Sequence, residues 1–218
     1  MKKKSALLFL FTLFIFSRSI TAQVTQFELT TGFYKSDFSS STIKPLDSKN
    51  KFSISTLAFF QKFYRKEDRL FDETGVQASV YWNFTKNLSV GPSLYYNSVA
   101  GLSEKLSFLI LAGGSHLVFV AIPAISHTEN DGNINGGLFF QLQYMKRIKR
   151  EWNFWVNTQL LTEWNKFSNH SRSFQQVRIG IAYKTNQFGV AADLDAYGHP
   201  QIWKKSIGVF VRKVFLEN

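Results

Sequence analysis

Four charged residues are the strongest candidates for a site. Arg178, Asp193, Asp195 and Arg212 fall on three consecutive segments in which apolar and polar residues alternate, and all four occupy the polar face. Opposite charges on neighbouring strands attract. If the strands formed a narrow barrel, such pairs would cross-link its wall and block its channel. One interpretation is a selectivity or ligand site. We favour structural packing of a small interior, since buried ions are usually paired.

A second candidate is the polar segment Asn169-His170-Ser171 with Ser173. A serine nucleophile needs an imidazole that reaches its hydroxyl and a third group that orients the ring. On a regular strand, neighbouring residues point to opposite faces, so neither Ser171 nor Ser173 would share a face with His170. The pattern therefore favours a polar loop over a hydrolase.

Other site chemistries find little support. There is no cysteine, which excludes disulfides and thiolate chemistry. His116, His127 and His199 share no spacing typical of a metal site, so we expect no metal. No phosphate-binding glycine loop or other cofactor fingerprint occurs, so we expect no cofactor.

The elements that position these residues are strands. From residue 52 onward, segments of about ten residues alternate with period two and are separated by turn-forming clusters. Val177, Ile179 and Ile181 against Gln176 and Arg178 are a clear case. The pattern predicts an all-β protein.

The strand count is less firmly fixed. Ten candidate strands follow one another from Phe52 to the C-terminal region, and residues 27–33 form an eleventh candidate. Bacterial single-chain barrels have even numbers of strands. Either residues 27–33 pair with a weak strand near 42–46, giving twelve, or residues 105–126 form one long strand and the total is about ten. Tight connections alternate with longer polar ones, as in a barrel with a turn side and a loop side.

Polar positions of the segments are mostly Gln, Asn, Ser and Gly, which suit a confined wet lumen better than an open aqueous surface. Aromatic residues make up 17% of the chain, and many lie at segment ends. Examples are Trp82, Trp152 and Trp203. Rings in these places are typical of the interfacial girdles of a membrane barrel.

The first 22 residues have the layout of a cleaved secretory signal peptide, with a basic start, an apolar run and small residues before Gln23. This segment holds four basic residues and no acid. The net charge of +11 therefore becomes +7 for residues 23–218, with 22 basic and 15 acidic side chains. A moderate positive charge suits contact with anionic lipid head groups, and we expect no nucleic-acid partner.

With its signal segment, aromatic-rich strands and a terminal strand ending at Phe215, the chain resembles the small outer-membrane β-barrel proteins of Bacteroidota. The resemblance covers nearly all of residues 23–218 and rests on architecture. It implies a single transmembrane antiparallel barrel in the outer membrane of a Gram-negative bacterium. It also implies that the barrel-assembly machinery recognises the C-terminal strand.

We therefore expect a non-enzymatic, porin-like outer-membrane barrel with a structural, accessory or limited passive-transport role, in contact with outer-membrane lipids, including anionic head groups, and with a larger outer-membrane complex. Two alternatives stay open. One is a selective small-solute channel, and the other is an outer-membrane lipid hydrolase that uses His170 and a nearby serine.

Overall fold

The computed structural model describes residues 23–130 and 132–217. The expected signal segment, residues 1–22, lies outside the described residues. Within the described residues, twelve strands and one short 3-10 helix, Lys66–Phe71, follow one another in sequence order. The strands are β1 Gln23–Gly32, β2 Lys35–Pro45, β3 Phe52–Phe63, β4 Glu73–Asn83, β5 Leu88–Asn97, β6 Gly101–Gly113, β7 Leu117–Thr128, β8 Ile134–Lys149, β9 Trp152–Asn165, β10 Asn169–Tyr183, β11 Asn186–Tyr197 and β12 Ile202–Glu217.

Each strand pairs antiparallel with its neighbours in sequence, and β1 pairs with β12, which closes the barrel. The seam between the first and last strands is continuous, from Gln23 opposite Glu217 to Gly32 opposite Gly208. A closed sheet has no free edge, so every strand has a backbone partner on both sides.

The expected count of about ten strands is wrong, and the alternative of twelve is correct. Residues 105–126 are not one strand, because the chain turns between Gly113 and Leu117. The strand near residues 42–46 exists but is longer, spanning Lys35–Pro45. A run of serines on both faces of β2 removes the apolar alternation by which strands are recognised.

The two ends of the barrel differ. The end that carries both termini has mostly short turns, such as Arg150–Glu151 between β8 and β9 and Lys184–Thr185 between β10 and β11. The other end holds the longest connection, residues 64–72, which contains the 3-10 helix. The polar loop expected at Asn169–Ser171 and Ser173 is wrong: these residues belong to β10, which begins at Asn169 and follows a turn of three residues. Among the described residues, no helix is long and apolar enough to span a membrane.

The pleat sorts side chains between an apolar outer wall and a filled interior. On β12, Ile207, Val209 and Val211 point outward and are about 60% exposed. Their neighbours Phe210 and Arg212 point inward and are buried. This alternation agrees with the pattern predicted from the sequence.

Near the end that carries the termini, a small apolar cluster fills the interior. Trp155 is fully buried and its ring lies 5.4 Å from that of Phe210 on a distant strand. Gly180 pairs with Trp155 on one side and with Gly189 on the other. A Cβ atom at Gly180 would lie 2.1 Å from a backbone oxygen of β11, so this close approach requires glycine.

Candidate functional site: the charged lumen

The four charged residues singled out from the sequence all lie inside the barrel and are buried. Arg178 contacts Asp193 on the adjacent strand, with Nη1 2.5 Å from Oδ1. Arg212 contacts neither aspartate. Instead, Arg178 and Arg212 donate to the two carboxylate oxygens of Glu28, at 2.9 and 2.7 Å from their Nε atoms. Glu28 on β1 therefore joins β10 to β12.

Lys35, at the start of β2, is the centre of a second group of charges. Its side chain is 1% exposed, and its Nζ atom lies 2.9 Å from Asp195, 3.4 Å from Asp37 and 3.7 Å from Asp193. Nζ also donates to Oε1 of Gln61 at 2.9 Å. Because Lys35 lies on β2 and Asp195 on β11, this contact crosses the interior between strands that are not neighbours.

Arg172 extends the charges toward the end opposite the termini. Its guanidinium forms an ion pair with Glu73 on β4 and lies 3.9 Å from Asp195. Asn97 on β5 donates to the same Glu73 carboxylate. The guanidinium also lies over the ring of Tyr197, 5.5 Å from its centroid. We call the nine charged residues together the lumen network: Glu28, Lys35, Asp37, Glu73, Arg172, Arg178, Asp193, Asp195 and Arg212.

The 3-10 helix folds over this end of the lumen network. Phe71 is buried, and its ring lies 4.7 Å from that of Tyr197 and 6.2 Å from that of Phe63. Asp68 forms an ion pair with Lys204 on β12. Gln61 donates to the Phe71 carbonyl oxygen at 3.1 Å and to the Tyr197 hydroxyl at 2.8 Å. These contacts hold the helix in the mouth of the barrel.

The opposite half of the interior is lined by small hydroxyl side chains. Ser79, Ser93 and Ser107 are at most 4% exposed, and Ser93 donates to Ser79 at 2.8 Å. Farther along, Lys105 on β6 forms an ion pair with Glu163 on β9 at 3.3 Å. An eight-stranded barrel is filled by side chains, whereas one of 16 to 18 strands leaves a channel. This twelve-stranded barrel is crossed by side chains at several levels.

Sequence reasoning found four of the nine residues of the lumen network. It missed Glu28, Lys35 and Asp37, because they lie on two strands that were weakly recognised. It missed Arg172 and Glu73, because they were placed in loops. Period-two alternation extended through β1, from Gln26 and Glu28 to Thr30, was the signal that could have revealed Glu28.

The expectation that His170 and Ser173 lie on opposite faces is wrong. His170 pairs with Trp164 and Ser173 with Thr162, two residues apart on β9, while Ser171 has no β9 partner. Directly paired side chains share a face, so the extra residue brings His170 and Ser173 to the same side. The Nε2 atom of His170 lies 2.9 Å from the Ser173 hydroxyl.

The remaining histidines are not brought together into a site. His116 lies in the turn after β6 and places Nδ1 3.2 Å from the Met145 carbonyl oxygen. His127 lies near the end of β7 and His199 in the turn before β12. Residues 23–130 and 132–217 contain no group of three His, Cys, Asp or Glu side chains that could hold a metal.

No protein-family model matches the sequence, and no curated protein matches it. Similar solved structures include the NanC porin, with 9% identity over 90% of this chain and 100% of that one, at a TM-score of 0.49. The KdgM porin shares 12% identity over 88% of this chain and 99% of that one, at 0.48. A bacterial polysaccharide outer membrane secretin shares 10% identity over 93% and 100%, at 0.45.

Proposed function

We propose that this protein is an integral outer-membrane β-barrel of a Gram-negative bacterium, with a structural, accessory or limited passive-transport role. The outer wall supports the membrane location. Outward side chains are apolar and exposed on strand after strand, as at Leu94, Phe108 and Val190. Soluble monomers rarely expose contiguous apolar patches of more than a few hundred Å². The likeness to the small barrels of Bacteroidota is part of this proposal.

The crossed interior is the observation that supports limited transport. Lys35 to Asp195, Arg172 to Glu73 and Lys105 to Glu163 each link strands that are not neighbours. A hydrated solute that entered the lumen would have to separate these pairs. Separating a buried pair leaves desolvated charges without partners, which costs several kcal/mol (about 3–5). We therefore expect the wild-type barrel to pass few solutes.

Planar-bilayer recording of the purified barrel tests this. We expect the wild-type protein to insert and to show no steady conductance. The double variant Arg172→Ala with Glu73→Ala removes both members of one cross-lumen pair without leaving a lone charge, and we expect brief conductance openings that the wild type lacks, because one of the crossings is gone. The matched control is Lys184→Ala with Glu151→Ala, which removes an exposed ion pair at the end of the barrel that carries both termini. A large, stable conductance of the wild-type barrel would refute the closed lumen.

A selective small-solute channel is the second candidate, and the presence of both charge signs in the lumen network favours it. Asp193 and Arg178 form a pair at 2.5 Å on the neighbouring strands β11 and β10, and both side chains are buried in the lumen. A selective channel predicts discrete conductance steps from the wild-type barrel, with the ion preference shifted in opposite directions by Asp193→Asn and Arg178→Gln. Absence of steps in the wild-type recording would exclude this candidate.

Partners are also part of the proposal. The β8–β9 hairpin at the turn end carries Lys146, Arg147, Lys149 and Arg150. Clustered basic side chains attract anionic lipid head groups. We expect the barrel-assembly machinery to recognise β12, and a larger outer-membrane complex to be a further partner. Affinity purification from native outer membranes, followed by identification of co-purifying proteins, tests for such a complex.

A further inference from the structure

His170 and Ser173 form a polar pair on the outer wall, apart from the lumen network. On β9, Trp155 and Asn157 are buried in the interior, so the even-numbered Trp164 and Thr162 point outward. His170 and Ser173 pair with those two residues and share their face. Both are partly buried. The pair therefore lies on the surface that the proposed function places in contact with lipid.

The surroundings of the imidazole fix its hydrogen-bonding state. Nδ1 of His170 lies 2.9 Å from the carbonyl oxygen of Gly198, which can only accept a hydrogen bond. Nδ1 therefore carries the proton in the neutral ring, and Nε2 has a free lone pair. That lone pair faces the Ser173 hydroxyl at 2.9 Å. This is the tautomer required of a general base acting on a serine.

The position along the wall indicates which substrates can reach the pair. His170 follows the β9–β10 turn, next to Trp164, and Ser173 pairs with Ala196, which in turn pairs with Trp203. Outward-facing tryptophan rings near the strand ends of a membrane barrel are typical of head-group depth. Acyl ester bonds of lipids lie close to this depth, between the head group and the acyl chains.

We propose that His170 and Ser173 form a serine-esterase site that cleaves acyl esters of lipids from the membrane side of the barrel. The Ser173 oxygen attacks the ester carbonyl carbon while Nε2 of His170 takes the hydroxyl proton. The carbon–oxygen bond to the alcohol breaks, and the departing alkoxide receives that proton. Water, deprotonated by the same nitrogen, then hydrolyses the acyl-serine to a carboxylic acid and restores the hydroxyl.

This esterase activity goes beyond the proposed function, although it rests on the membrane location proposed there. One variant, His170→Asn, separates an esterase site from a purely structural hydrogen bond. The Gly198 carbonyl carries no full charge, so it orients the ring but stabilises the imidazolium less than a carboxylate would. His170→Asn keeps an amide NH that can donate to Gly198 from a place near Nδ1, yet it has no base at the position of Nε2. If the pair served only to tie β10 to the β11–β12 turn, this variant would behave like the wild type.

The test uses the full barrel in detergent micelles with a fluorophosphonate probe, which reacts covalently with activated serines. We expect mass spectrometry to find the label on Ser173. Ser173→Ala and His170→Asn should lose the label, while Ser171→Ala, the neighbouring serine in the bulge, should keep it. In mixed micelles with phosphatidylethanolamine, Ser173→Ala and His170→Asn should release fatty acid at least about 100-fold more slowly than the wild type.

Heat-dependent gel mobility reports whether each variant is a folded barrel, so loss of folding is separable from loss of activity. No label on Ser173 of the folded wild-type protein overturns the proposal. Equal labelling of His170→Asn and the wild type overturns it as well, because the imidazole would then be only a structural tie. Neither result bears on conductance, so a failure here is distinguishable from a failure of the closed-lumen proposal.

Discussion

Replacing Lys35 with methionine should destabilise the barrel far more than removing a surface lysine. The Nζ atom of Lys35 lies 2.9, 3.4 and 3.7 Å from three carboxylates. At an effective dielectric constant of about 20, each of these attractions amounts to roughly 4–6 kcal/mol before desolvation is subtracted. Desolvation of each ion costs several kcal/mol, so the net contribution of the intact group to stability is small.

In the Lys35→Met variant, the three carboxylates remain desolvated but lose the attraction of the Lys35 ammonium group. Methionine has a similar length and no charge, so the carboxylates stay buried with fewer cations. Asp193 keeps Arg178, and Asp195 keeps the more distant Arg172. Asp37 has no other ion pair among the described residues. We expect the free energy of unfolding to fall by about 3–5 kcal/mol, the usual cost of breaking a buried pair from one side.

Urea unfolding in detergent micelles, followed by tryptophan fluorescence, measures this change. Lys184→Met is the matched control, since Lys184 pairs with Glu151 at 3.5 Å and both side chains are more than half exposed. An exposed pair contributes about 0–1 kcal/mol. Adding Asp37→Asn to Lys35→Met should recover part of the loss, because it removes the stranded carboxylate. Equal effects of the two lysine substitutions would refute this account of the lumen.

Three further outcomes are expected. Asp68→Asn should release the 3-10 helix and raise tryptic cleavage at residues 65–72 several-fold over Glu67→Gln, whereas equal rates would show that the Asp68–Lys204 ion pair does not hold the helix in place. Gly180→Ala should lower the free energy of unfolding by about 1–3 kcal/mol, while Gly114→Ala, with open space around it, should change it by less than about 0.5 kcal/mol. Hydrogen bonds from backbone NH groups, that of Lys51 first, lower the pKa of the Asp47 carboxyl in the folded protein. The stabilisation that Asp47 gives should therefore be complete above its unfolded-state pKa and disappear as pH falls through its lower folded-state pKa. NMR titration of the Asp47 carboxyl measures the folded-state pKa.

The strands that sequence reasoning found are those in which one face is consistently apolar. Residues 172–183 of β10, and β11 and β12 throughout, alternate without interruption, and the predicted inward residues Arg178 and Asp193 are buried in the structure. β2 was largely missed because Ser39, Ser40 and Ser41 place the same side chain on both faces. β2 is a strand because it pairs with β1 and β3. That pairing depends on the tertiary structure, and the local sequence pattern does not indicate it.

The site could be predicted only where the strand register was already clear. Asp195 was identified, but its partner Lys35 lies 160 residues away, and the contact exists only once the closed barrel brings β2 and β11 to face the same interior. The His170–Ser173 pair was rejected because strict alternation was assumed through residue 171. A single inserted residue reverses the faces on either side of it, and nothing in the local sequence marks the insertion.

Glu28 has a consequence for the order in which the barrel assembles. Its carboxylate binds arginines from β10 and β12, which are separated from it by 150 and 184 residues. An unfinished sheet would hold these charges unpaired against lipid or against other side chains, at considerable cost. The last strand, β12, must therefore pair with β1 before the charge of Glu28 is neutralised. We expect insertion to be all-or-none, with few stable intermediates that lack the last hairpin.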